Sequence, residues 1–322
     1  MIKKILTSTV LATVLFAACS KNSNNTNNML AEPAAHRGCA SHDVLEQQMQ
    51  EDPNLRTRVA EIENFTQNEI NNPTARLING VYEIPVVVNV LYRTAAENVS
   101  AAQIQSQIDV LNKDFAATNT DYNNTPSIFT NVRSGNTNIR FVLDQVIRKA
   151  TNKSSWSSND AIKKTSQGGL NPTSPTTKLN LWVGTLGGGL LGYAQFPGGA
   201  PATDGVVILN KGFGNTGTAA APFNKGRTAT HEVGHWLNLR HIWGDANCGS
   251  DLVNDTPTHN TSNGGCPSYP HLSTCAGTPV EMTMNYMDYT DDVCMYMFTA
   301  NQKARMLATF ANGGPRNSFA QP

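Results

Sequence analysis

The sequence contains few charged residues, and neither sign is in excess. Charged residues occupy 15% of its 322 positions, and 24 Lys and Arg balance 24 Asp and Glu, so the formal net charge is zero. Proteins that bind nucleic acid or anionic lipid by electrostatic attraction carry clusters of basic residues. The composition therefore disfavours a nucleic-acid partner and a membrane surface bound through charge.

Long hydrophobic runs are equally scarce, and the longest lies near the start, between Lys4 and Cys19. It is too short to span a membrane as a mature helix, and its basic start and small-residue end are typical of a secretory signal at residues 1–18. Cys19 follows two alanines, as in a bacterial lipobox, which predicts a lipid anchor on Cys19; simple secretion with cleavage nearby is the alternative. In either case we expect an exported protein, in the bacterial cell envelope or secreted, that contacts a membrane only through this anchor.

Polar residues follow Cys19, and the texture of the sequence changes near residue 76. An Asn-rich tract cannot form a core, and residues 45–70 predict short helices that Asn71-Asn72-Pro73 ends. Residues 19–75 are therefore interpreted as a leader. From Val81 to Leu91 a run of β-branched residues is typical of a buried central strand, so the main domain is expected at residues 76–322.

The first half of the main domain predicts a mixed α/β sheet. Further strands are expected at residues 139–147, 179–183 and 206–209, with a short edge strand near 192–196 that a proline stops. A Ser100–Gln103 capping box begins an amphipathic helix. No segment of about 20–50 residues repeats, so solenoids and propellers are unsupported.

A histidine motif on a predicted helix indicates a metal site. His231 and His235 are four residues apart on one helix face, so both rings can bind one ion. Asn238 tolerates a left-handed turn, which can end the helix and bring in His241 as a third ligand. Three histidines and a water leave an open position, as in catalytic zinc sites. Glu232 then stands where a general base can contact that water.

The competing interpretation is a helix with incidental histidines. A His-Glu-x-x-His motif arises by chance in about one percent of such sequences or fewer, and a third histidine at the required offset is rarer still. The remaining histidines have no comparable spacing and are interpreted as ordinary surface or loop residues: His36, His42, His259 and His271.

HEVGHWLNLRH at residues 231–241, followed by NYMDY at 285–289, resembles the metzincin clan of zinc peptidases. With the VYEIPVVVNVLY strand and the CGSDLVNDTP segment, the sequence is similar to the pappalysin family of zinc metallopeptidases from about Val81 to Leu307. The resemblance implies an α/β (α+β) fold with a mixed twisted sheet, a zinc-binding active-site helix, a Met-turn and a loop-rich C-terminal subdomain. Asn238 stands where the metzincin pattern usually has Gly, and Asn can occupy the same backbone region.

The resemblance also assigns roles within the site. It implies zinc on the three histidines, with Glu232 as general base and later as proton donor to the leaving amine. Met287 becomes the Met-turn residue, an apolar floor beneath the metal, and a simple core methionine is the alternative. Tyr289 resembles the family tyrosine whose hydroxyl can approach the zinc and hydrogen-bond the tetrahedral intermediate, and a surface tyrosine is the alternative.

The cysteines agree with export to an oxidising compartment. Four of the six lie after the zinc helix and allow three pairings; the family pattern implies Cys248–Cys275 and Cys266–Cys294. Cys39 remains alone in the leader. Its thiolate is a candidate fourth zinc ligand that would displace the catalytic water and keep the enzyme latent. The alternative is an unused cysteine in a disordered leader.

Closely spaced oxygen donors between residues 251 and 257 are of the kind that calcium prefers, although the spacing is not that of an EF-hand. A solvated turn would look nearly the same. The resemblance to the family favours a structural calcium site, for which we expect Asp251, Asp255 and Thr256 as ligands.

Two further predictions concern specificity and activation. In this family the segment after the Met-turn shapes the pocket for the residue that follows the scissile bond. Asp292, in preference to Asp291, is expected at the floor of this pocket, where it would select Arg or Lys. Such an enzyme can remove its own leader, and we expect cleavage at Ala75–Arg76, with Arg56 and Arg58 as slower competing sites.

The sequence thus predicts a secreted or lipid-anchored zinc endopeptidase that is made as a zymogen, with residues 19–75 as anchor spacer and pro-segment. Its partners are protein or peptide substrates, which would add to the edge strand near residues 192–196. The alternatives are a non-catalytic surface-binding lipoprotein on a peptidase scaffold and a zinc amidase or esterase.

Overall fold

A computed structural model describes residues 36–73 and 80–320 of the chain. The predicted signal at residues 1–18, the predicted lipidation site Cys19 and the predicted cleavage point Ala75–Arg76 lie outside these ranges. Within them, no helix combines the length and the apolar character needed to cross a membrane.

Among the described residues, two α-helices precede the first strand, one α-helix lies between the first and second strands, and two α-helices follow the last strand. The α-helices are α1 (Ser41–Glu51), α2 (Pro53–Asn71), α3 (Ala101–Phe115), α4 (Arg227–Trp236) and α5 (Ala300–Ala308). The strands are β1 (Tyr82–Tyr92), β2 (Ile139–Ala150), β3 (Leu179–Gly184), β4 (Gly192–Ala194) and β5 (Val206–Leu209).

The five strands form one mixed sheet in the order β2-β1-β3-β5-β4. Neighbouring strands are parallel, except that β4 runs antiparallel to β5 at the edge. Every residue of β1 from Val86 to Leu91 is buried, because this strand has a neighbour on each side and is covered on both faces. The predicted mixed sheet is confirmed, and its edge strand is shorter than the predicted 192–196 segment.

Helix α3 packs on the sheet through an apolar face that the sequence predicts. The buried residues of this face are Ile104, Ile108, Leu111 and Phe115. The capping box is only half formed: Ser100 Oγ accepts a hydrogen bond from the Gln103 amide at 3.1 Å. The Gln103 side chain instead donates to the carbonyl oxygen of Phe213 at 2.8 Å, because Gln103 is buried against the loop after β5.

The leader packs on the domain as two helices. Helix α1 begins at Ser41, earlier than the predicted helical stretch, and α2 continues without a break to Asn71. Asp52 caps α2 by accepting a hydrogen bond from the Asn54 amide at 3.0 Å, with Pro53 at the first helical position. Val44 and Leu55 are buried against the rest of the protein, so the leader is part of the folded structure.

Between α4 and α5 the chain forms neither a helix nor a strand of the sheet. Two disulfides hold this loop-rich part, Cys248–Cys275 and Cys266–Cys294. They are the two pairs that the family resemblance implies. Each closes a loop of almost thirty residues. By lowering the entropy of the unfolded chain, a cross-link of this length stabilises the folded state by about 3–4 kcal/mol. This stabilisation compensates for the lack of regular secondary structure.

Candidate active site

Helix α4 is buried along its whole length and packs against α3 and the strands β4 and β5. His231 and His235 lie one turn apart on it. Gly234 allows the Met-turn to approach the helix, since a β-carbon at this position would lie only 2.5 Å from Met287 Sδ. Met287 is fully buried and packs against the helix at Gly234, one residue before His235.

A left-handed residue ends the helical turn and redirects the chain. Asn238 has φ = 71°, and the amide of Leu239 donates a hydrogen bond to the carbonyl oxygen of Gly234 at 2.9 Å. Asn is one of the few side chains that adopt this conformation readily. The reversal brings His241 back to His231 and His235, as the sequence predicts.

The three histidines present the same ring nitrogen to one point. His235 Nε2 lies 3.1 Å from His231 Nε2 and 3.1 Å from His241 Nε2. Around a tetrahedral metal with metal–nitrogen bonds of about 2.0–2.1 Å, ligand nitrogens are separated by roughly 3.3 Å. The three rings therefore have the spacing of a preformed zinc site.

The opposite ring nitrogens are fixed by hydrogen-bond acceptors. Nδ1 of His231 lies 2.7 Å from the Tyr286 carbonyl oxygen, and Nδ1 of His235 lies 2.8 Å from that of Leu239. Nδ1 of His241 lies 2.5 Å from the Asp245 carboxylate. Such acceptors hold the proton on Nδ1 and leave Nε2 free for a metal. Burial, and then the neighbouring histidines, lower the pKa of His231 and His235 well below the usual value.

Cys39 of the leader completes this cluster. Its sulfur and the three histidine nitrogens lie within 4.8 Å of one another. Three imidazoles and a thiol are the ligand types that tetrahedral zinc prefers. Burial, and secondarily the Glu232 carboxylate, raise the pKa of the Cys39 thiol well above its usual value, so a thiolate there requires a cation, which zinc would provide.

Glu232 points into the same space from the side of β4. Its Oε2 accepts a hydrogen bond from Ser41 Oγ at 2.8 Å and lies 3.3 Å from Cys39 Sγ. Burial raises the pKa of Glu232 to about 7. Gly192 leaves room for this carboxylate, because a β-carbon there would lie 2.9 Å from Glu232 Oε1.

Tyr289 lies beside the histidines and contacts the leader backbone. Its ring is 5.0 Å from that of His241 and 5.7 Å from that of His231. Its hydroxyl donates a hydrogen bond to the carbonyl oxygen of Cys39 at 3.0 Å. The tyrosine therefore already donates to a peptide carbonyl at the cluster.

Asp292 is fully buried, and a leader side chain occupies its pocket. Arg37 donates to Asp292 Oδ1 at 2.6 Å, and its guanidinium also donates to the Thr290 carbonyl oxygen. Asp292 Oδ2 accepts from the backbone amides of Lys225 and Arg227 at 2.8 and 3.2 Å. One carboxylate oxygen is thus held by the protein frame, and the other faces the arginine.

The leader backbone pairs with the edge strand at Cys39. The amide of Leu191 donates to the Gly38 carbonyl oxygen at 2.8 Å, and the amide of Ala40 donates to that of Gly192 at 3.2 Å. The pairing is parallel. Gly38 is needed for this approach, since a β-carbon there would lie 2.7 Å from the Gly189 carbonyl oxygen.

Two of the three predicted calcium ligands, Asp251 and Thr256, are in direct contact. The buried Asp251 carboxylate accepts hydrogen bonds from Thr256 Oγ1 at 2.9 and 3.0 Å, and the carbonyl oxygen of Val253 lies 3.0 Å from the same hydroxyl. Burial raises the pKa of Asp251 to about 6. Asp255 instead accepts a hydrogen bond from Thr299, the N-cap of α5. Its other carboxylate oxygen accepts a hydrogen bond from the Asn301 amide at 2.9 Å, so the start of α5 supplies Asp255 with partners of its own.

His259 was expected to be an ordinary surface or loop histidine, and it lies in a loop but not at the surface. It is fully buried, and its Nε2 accepts a hydrogen bond from the Met282 amide at 2.9 Å. The loops that enclose it come from distant parts of the sequence, which spacing alone does not reveal. His36 is exposed, and His42 and His271 are partly exposed.

Three residues at the site were missed by sequence reasoning: Arg37, Ser41 and Asp245. A signal existed for Asp245, because a carboxylate four residues after a ligand histidine can reach its Nδ1. Arg37 is two residues before Cys39, so it could have been connected with the predicted Asp292 pocket. No local pattern distinguishes Ser41 from the other serines of the leader.

These features together define a class of protein. The class is that of the metzincin zinc metalloendopeptidases. Their site combines a helix that carries two histidines and a glutamate, a third histidine after a left-handed turn, a methionine floor and an overlying edge strand. The comparisons with known proteins agree with this class.

The model of the pregnancy-associated plasma protein-A peptidase family matches residues 184–311. An extracellular metalloprotease of Verticillium alfalfae is 33% identical over 246 residues, covering 71% of this chain and 79% of the relative. One from Pyricularia oryzae is 36% identical over 225 residues, covering 67% and 70%. The chain belongs to this family, the pappalysins.

Two solved structures from Tannerella forsythia are similar. Mature mirolysin in complex with a cleaved peptide is 47% identical with a TM-score of 0.72, covering 74% of this chain and 96% of that one. A promirolysin mutant is 43% identical with a TM-score of 0.79, covering 88% and 97%. The likeness to a metalloendopeptidase leaves no support for the alternatives of a non-catalytic lipoprotein and of an amidase or esterase.

Proposed function

We propose that this protein is exported as a latent zinc endopeptidase that cleaves peptide bonds on the amino side of Arg and Lys. The observation that carries the proposal is the arrangement of the leader, which places Cys39 at the histidine cluster and Arg37 on Asp292. A single short segment thus occupies both the metal site and a pocket suited to a basic side chain.

His231, His235 and His241 would hold the catalytic zinc. When bound, zinc supplies a Lewis acid that polarises the scissile carbonyl and makes water a better nucleophile. The carboxylate of Glu232 faces the same point, as its contacts with Ser41 and Cys39 indicate. It accepts the proton of the attacking water and passes it to the departing nitrogen, the task of a general acid–base group.

Tyr289 donates a hydrogen bond to the oxygen of the scissile carbonyl as charge develops on it. Its present contact with the Cys39 carbonyl oxygen supports this role, because it shows that the hydroxyl reaches a peptide carbonyl beside the histidines. The tyrosine would therefore stabilise the transition state at the carbonyl oxygen.

The direction of the substrate follows from the positions of Arg37 and Cys39. In a substrate cut before Arg, the chain runs forward from the scissile carbonyl to the basic residue. In the leader it runs backward from Cys39 at the cluster to Arg37 in the pocket. A substrate would therefore pair with β4 antiparallel, opposite to the leader, through the same backbone groups. The reversed leader presents no bond for cleavage at the metal.

Asp292 would determine the preference for a basic residue. Its carboxylate is buried and paired with a guanidinium at 2.6 Å, and an Arg of the substrate would replace Arg37 there. Arg is favoured over Lys because a planar guanidinium can donate both to the carboxylate and to the Thr290 carbonyl oxygen, as Arg37 does.

Latency would involve more than the cysteine. Cys39 occupies the fourth metal position, and Ser41 Oγ binds the general base and also accepts a hydrogen bond from the Ala194 amide at 2.8 Å. That amide belongs to the edge strand to which a substrate would add. The leader therefore blocks the metal, the base and the strand together.

We retain a calcium site as a proposal, now limited to Asp251, Thr256 and the Val253 carbonyl oxygen. The buried carboxylate with two further oxygens beside it supports this choice. Added calcium should raise the thermal midpoint of unfolding of the native chain, and Asp251→Asn should remove that increase. An equal increase in both proteins would contradict the proposed ligand.

The lipid anchor on Cys19, the signal at residues 1–18 and cleavage at Ala75–Arg76 remain proposals from the sequence. Export agrees with the extracellular metalloproteases among the relatives and with the two disulfides. N-terminal sequencing of the active form would test the boundary between pro-segment and enzyme.

The central experiment is digestion of a denatured proteome by the purified protein, with identification of the released peptides by mass spectrometry. Peptides should begin with Arg, and less often with Lys, and a zinc chelator should abolish their release. A Glu232→Ala preparation controls for contaminating proteases. Peptides that begin mainly with apolar residues would contradict the specificity.

A further inference from the structure

The leader has a second charged anchor, far along its sequence from Arg37. Glu63 on α2 forms a two-point ion pair with Arg305 on α5: Oε1 accepts from Nη1 at 2.8 Å, and Oε2 accepts from Nη2. Arg305 is buried, and its Nε donates to the carbonyl oxygen of Asn238 at 2.7 Å. The guanidinium is thus held by the enzyme through one edge and offers the other to a carboxylate.

Neighbouring groups complete this site. The side-chain amide of Asn238 donates a hydrogen bond to Thr66 Oγ1 at 3.2 Å, one turn after Glu63 on the same helix. The charges of Arg305 and Arg240 both favour the ionised form of Glu63, and burial opposes them without prevailing. A fixed guanidinium with an adjacent amide donor has the geometry of a carboxylate-binding site.

Gly198 provides the shape against which α2 lies. A β-carbon at Gly198 would lie 2.9 Å from Ile62 Cδ1 and 3.6 Å from Leu55 Cδ1. Its carbonyl oxygen accepts a hydrogen bond from Arg58 Nε at 3.0 Å. The helix is thus held by apolar contacts and by one hydrogen bond from a side chain to the backbone, within residues 55–62.

All these contacts join residues 37–66 to the enzyme, and the predicted cut at Ala75–Arg76 lies after them in the sequence. Cleavage at Ala75–Arg76 would therefore leave every one of these contacts in place. It changes only whether the two are one chain or two.

We propose that Arg305 with Asn238 is a carboxylate-binding site of the mature domain, and that through Glu63 at this site and Arg37 at Asp292 the severed leader stays bound as a two-point inhibitor. This rests on the proposed latency of the zinc site. Each anchor holds the other at a high local concentration, on the order of millimolar for short connections. Activity then begins only when the leader dissociates or when a second hydrolysis separates the anchors.

The start of α2 is suited to that second hydrolysis. It lies between the two anchors, and Arg56, near the start of α2, keeps 68% of its side chain exposed. Addition of water across the bond before Arg56 would leave Arg37 and Glu63 on separate peptides. Each peptide would then dissociate without the help of the other.

The test uses the full chain with Glu232→Ala, which cannot cut itself, and with the recognition sequence of a site-specific protease in place of residues 74–79. After the link is cut, the rate at which the leader separates from zinc-loaded protein is measured by size-exclusion chromatography and by mass. We expect the leader to co-elute with the domain. Because Glu232→Ala removes two hydrogen bonds to the leader, from Ser41 Oγ and Cys39 Sγ, the retention measured is a lower bound.

Single variants then measure how much each anchor contributes to retention of the leader. Glu63→Gln should increase the dissociation rate about tenfold, and Arg37→Ala should do the same, because each anchor is a charge-assisted pair with a buried guanidinium. Glu61→Gln is the matched control, since it removes the same charge from an exposed position of the same helix. Separation of the unmodified leader immediately after cutting would overturn the proposal, as would equal rates for Glu63→Gln and Glu61→Gln.

The outcome is distinguishable from failure of the proposed function. The binding measurement requires no catalysis, so it remains valid if the protein digests nothing after its leader has been removed. Conversely, full activity at the moment of cutting the link in the protein with intact Glu232 would support the peptidase and overturn the two-point inhibitor.

Discussion

Replacement of Gly234 by Ala tests how the Met-turn supports the zinc helix. In an exposed helix this change stabilises a protein by about 1 kcal/mol, because Gly has the larger backbone entropy in the unfolded state. Here the added carbon would lie 2.5 Å from Met287 Sδ and 3.3 Å from its Cε. Favourable carbon contacts require about 3.5–4.0 Å, so Met287 must move.

The size of the effect follows from the burial of both residues. Gly234 and Met287 are fully enclosed, and overpacking of such a position costs about 1–3 kcal/mol. Over most of this range, the cost of overpacking exceeds the gain of about 1 kcal/mol in helix propensity. We expect Gly234→Ala to lower the free energy of unfolding by about 1 kcal/mol and to weaken zinc binding, since His235 is the next residue.

Urea unfolding of zinc-loaded protein in the Glu232→Ala background measures this without self-digestion. A second variant, Met287→Ala, should cost about 2–5 kcal/mol through the cavity it leaves. In the double variant the methyl added at Gly234 enters that cavity, so the two effects should be non-additive by about 1–2 kcal/mol in the favourable direction. A Gly234→Ala protein that is more stable, with no coupling to Met287, would refute the reasoning.

Three further predictions concern catalysis, specificity and latency. Glu232→Ala should reduce peptide hydrolysis by about 10²–10⁴-fold while metal analysis still finds one zinc per chain; loss of the zinc would instead show that Glu232 maintains the site. Asp292→Asn should remove the preference for Arg and Lys in released peptides, with Asp291→Asn as the control; an unchanged preference would locate the specificity elsewhere. In the chain with Arg76→Ala, which limits self-cleavage at the predicted site, Cys39→Ser should raise the initial rate on a peptide substrate, and Ser41→Ala should raise it further; if neither does, the leader does not act through the metal and the base.

The sequence predicted the zinc site well because its signals are local. Two histidines four residues apart share a helix face whatever the rest of the fold does. Asn238 permits the reversal that returns His241, since its backbone preference is a property of the residue itself. The strands of the sheet were likewise visible, because burial on both faces of β1 requires a continuous β-branched run.

Contacts between distant segments were harder to predict. The Gln103 side chain was expected to complete a capping box, and it binds the Phe213 carbonyl oxygen instead, because a buried amide takes the partners that enclose it. The burial of His259 and the partners of Asp255 were not predicted, for the same reason. Each has partners more than twenty residues away in the sequence.

By itself, the sequence determined the local features of this protein: the helix with its two histidines, the glutamate between them, the sheet, and a leader that carries an unpaired cysteine. Only the tertiary structure decided what the leader does with the site. It places Arg37 on Asp292, 255 positions away in the chain, and Glu63 on Arg305, 242 positions away. No periodicity or motif encodes such pairs, because they exist only after the sheet, the zinc helix and the C-terminal helix have packed into the surface on which the leader lies.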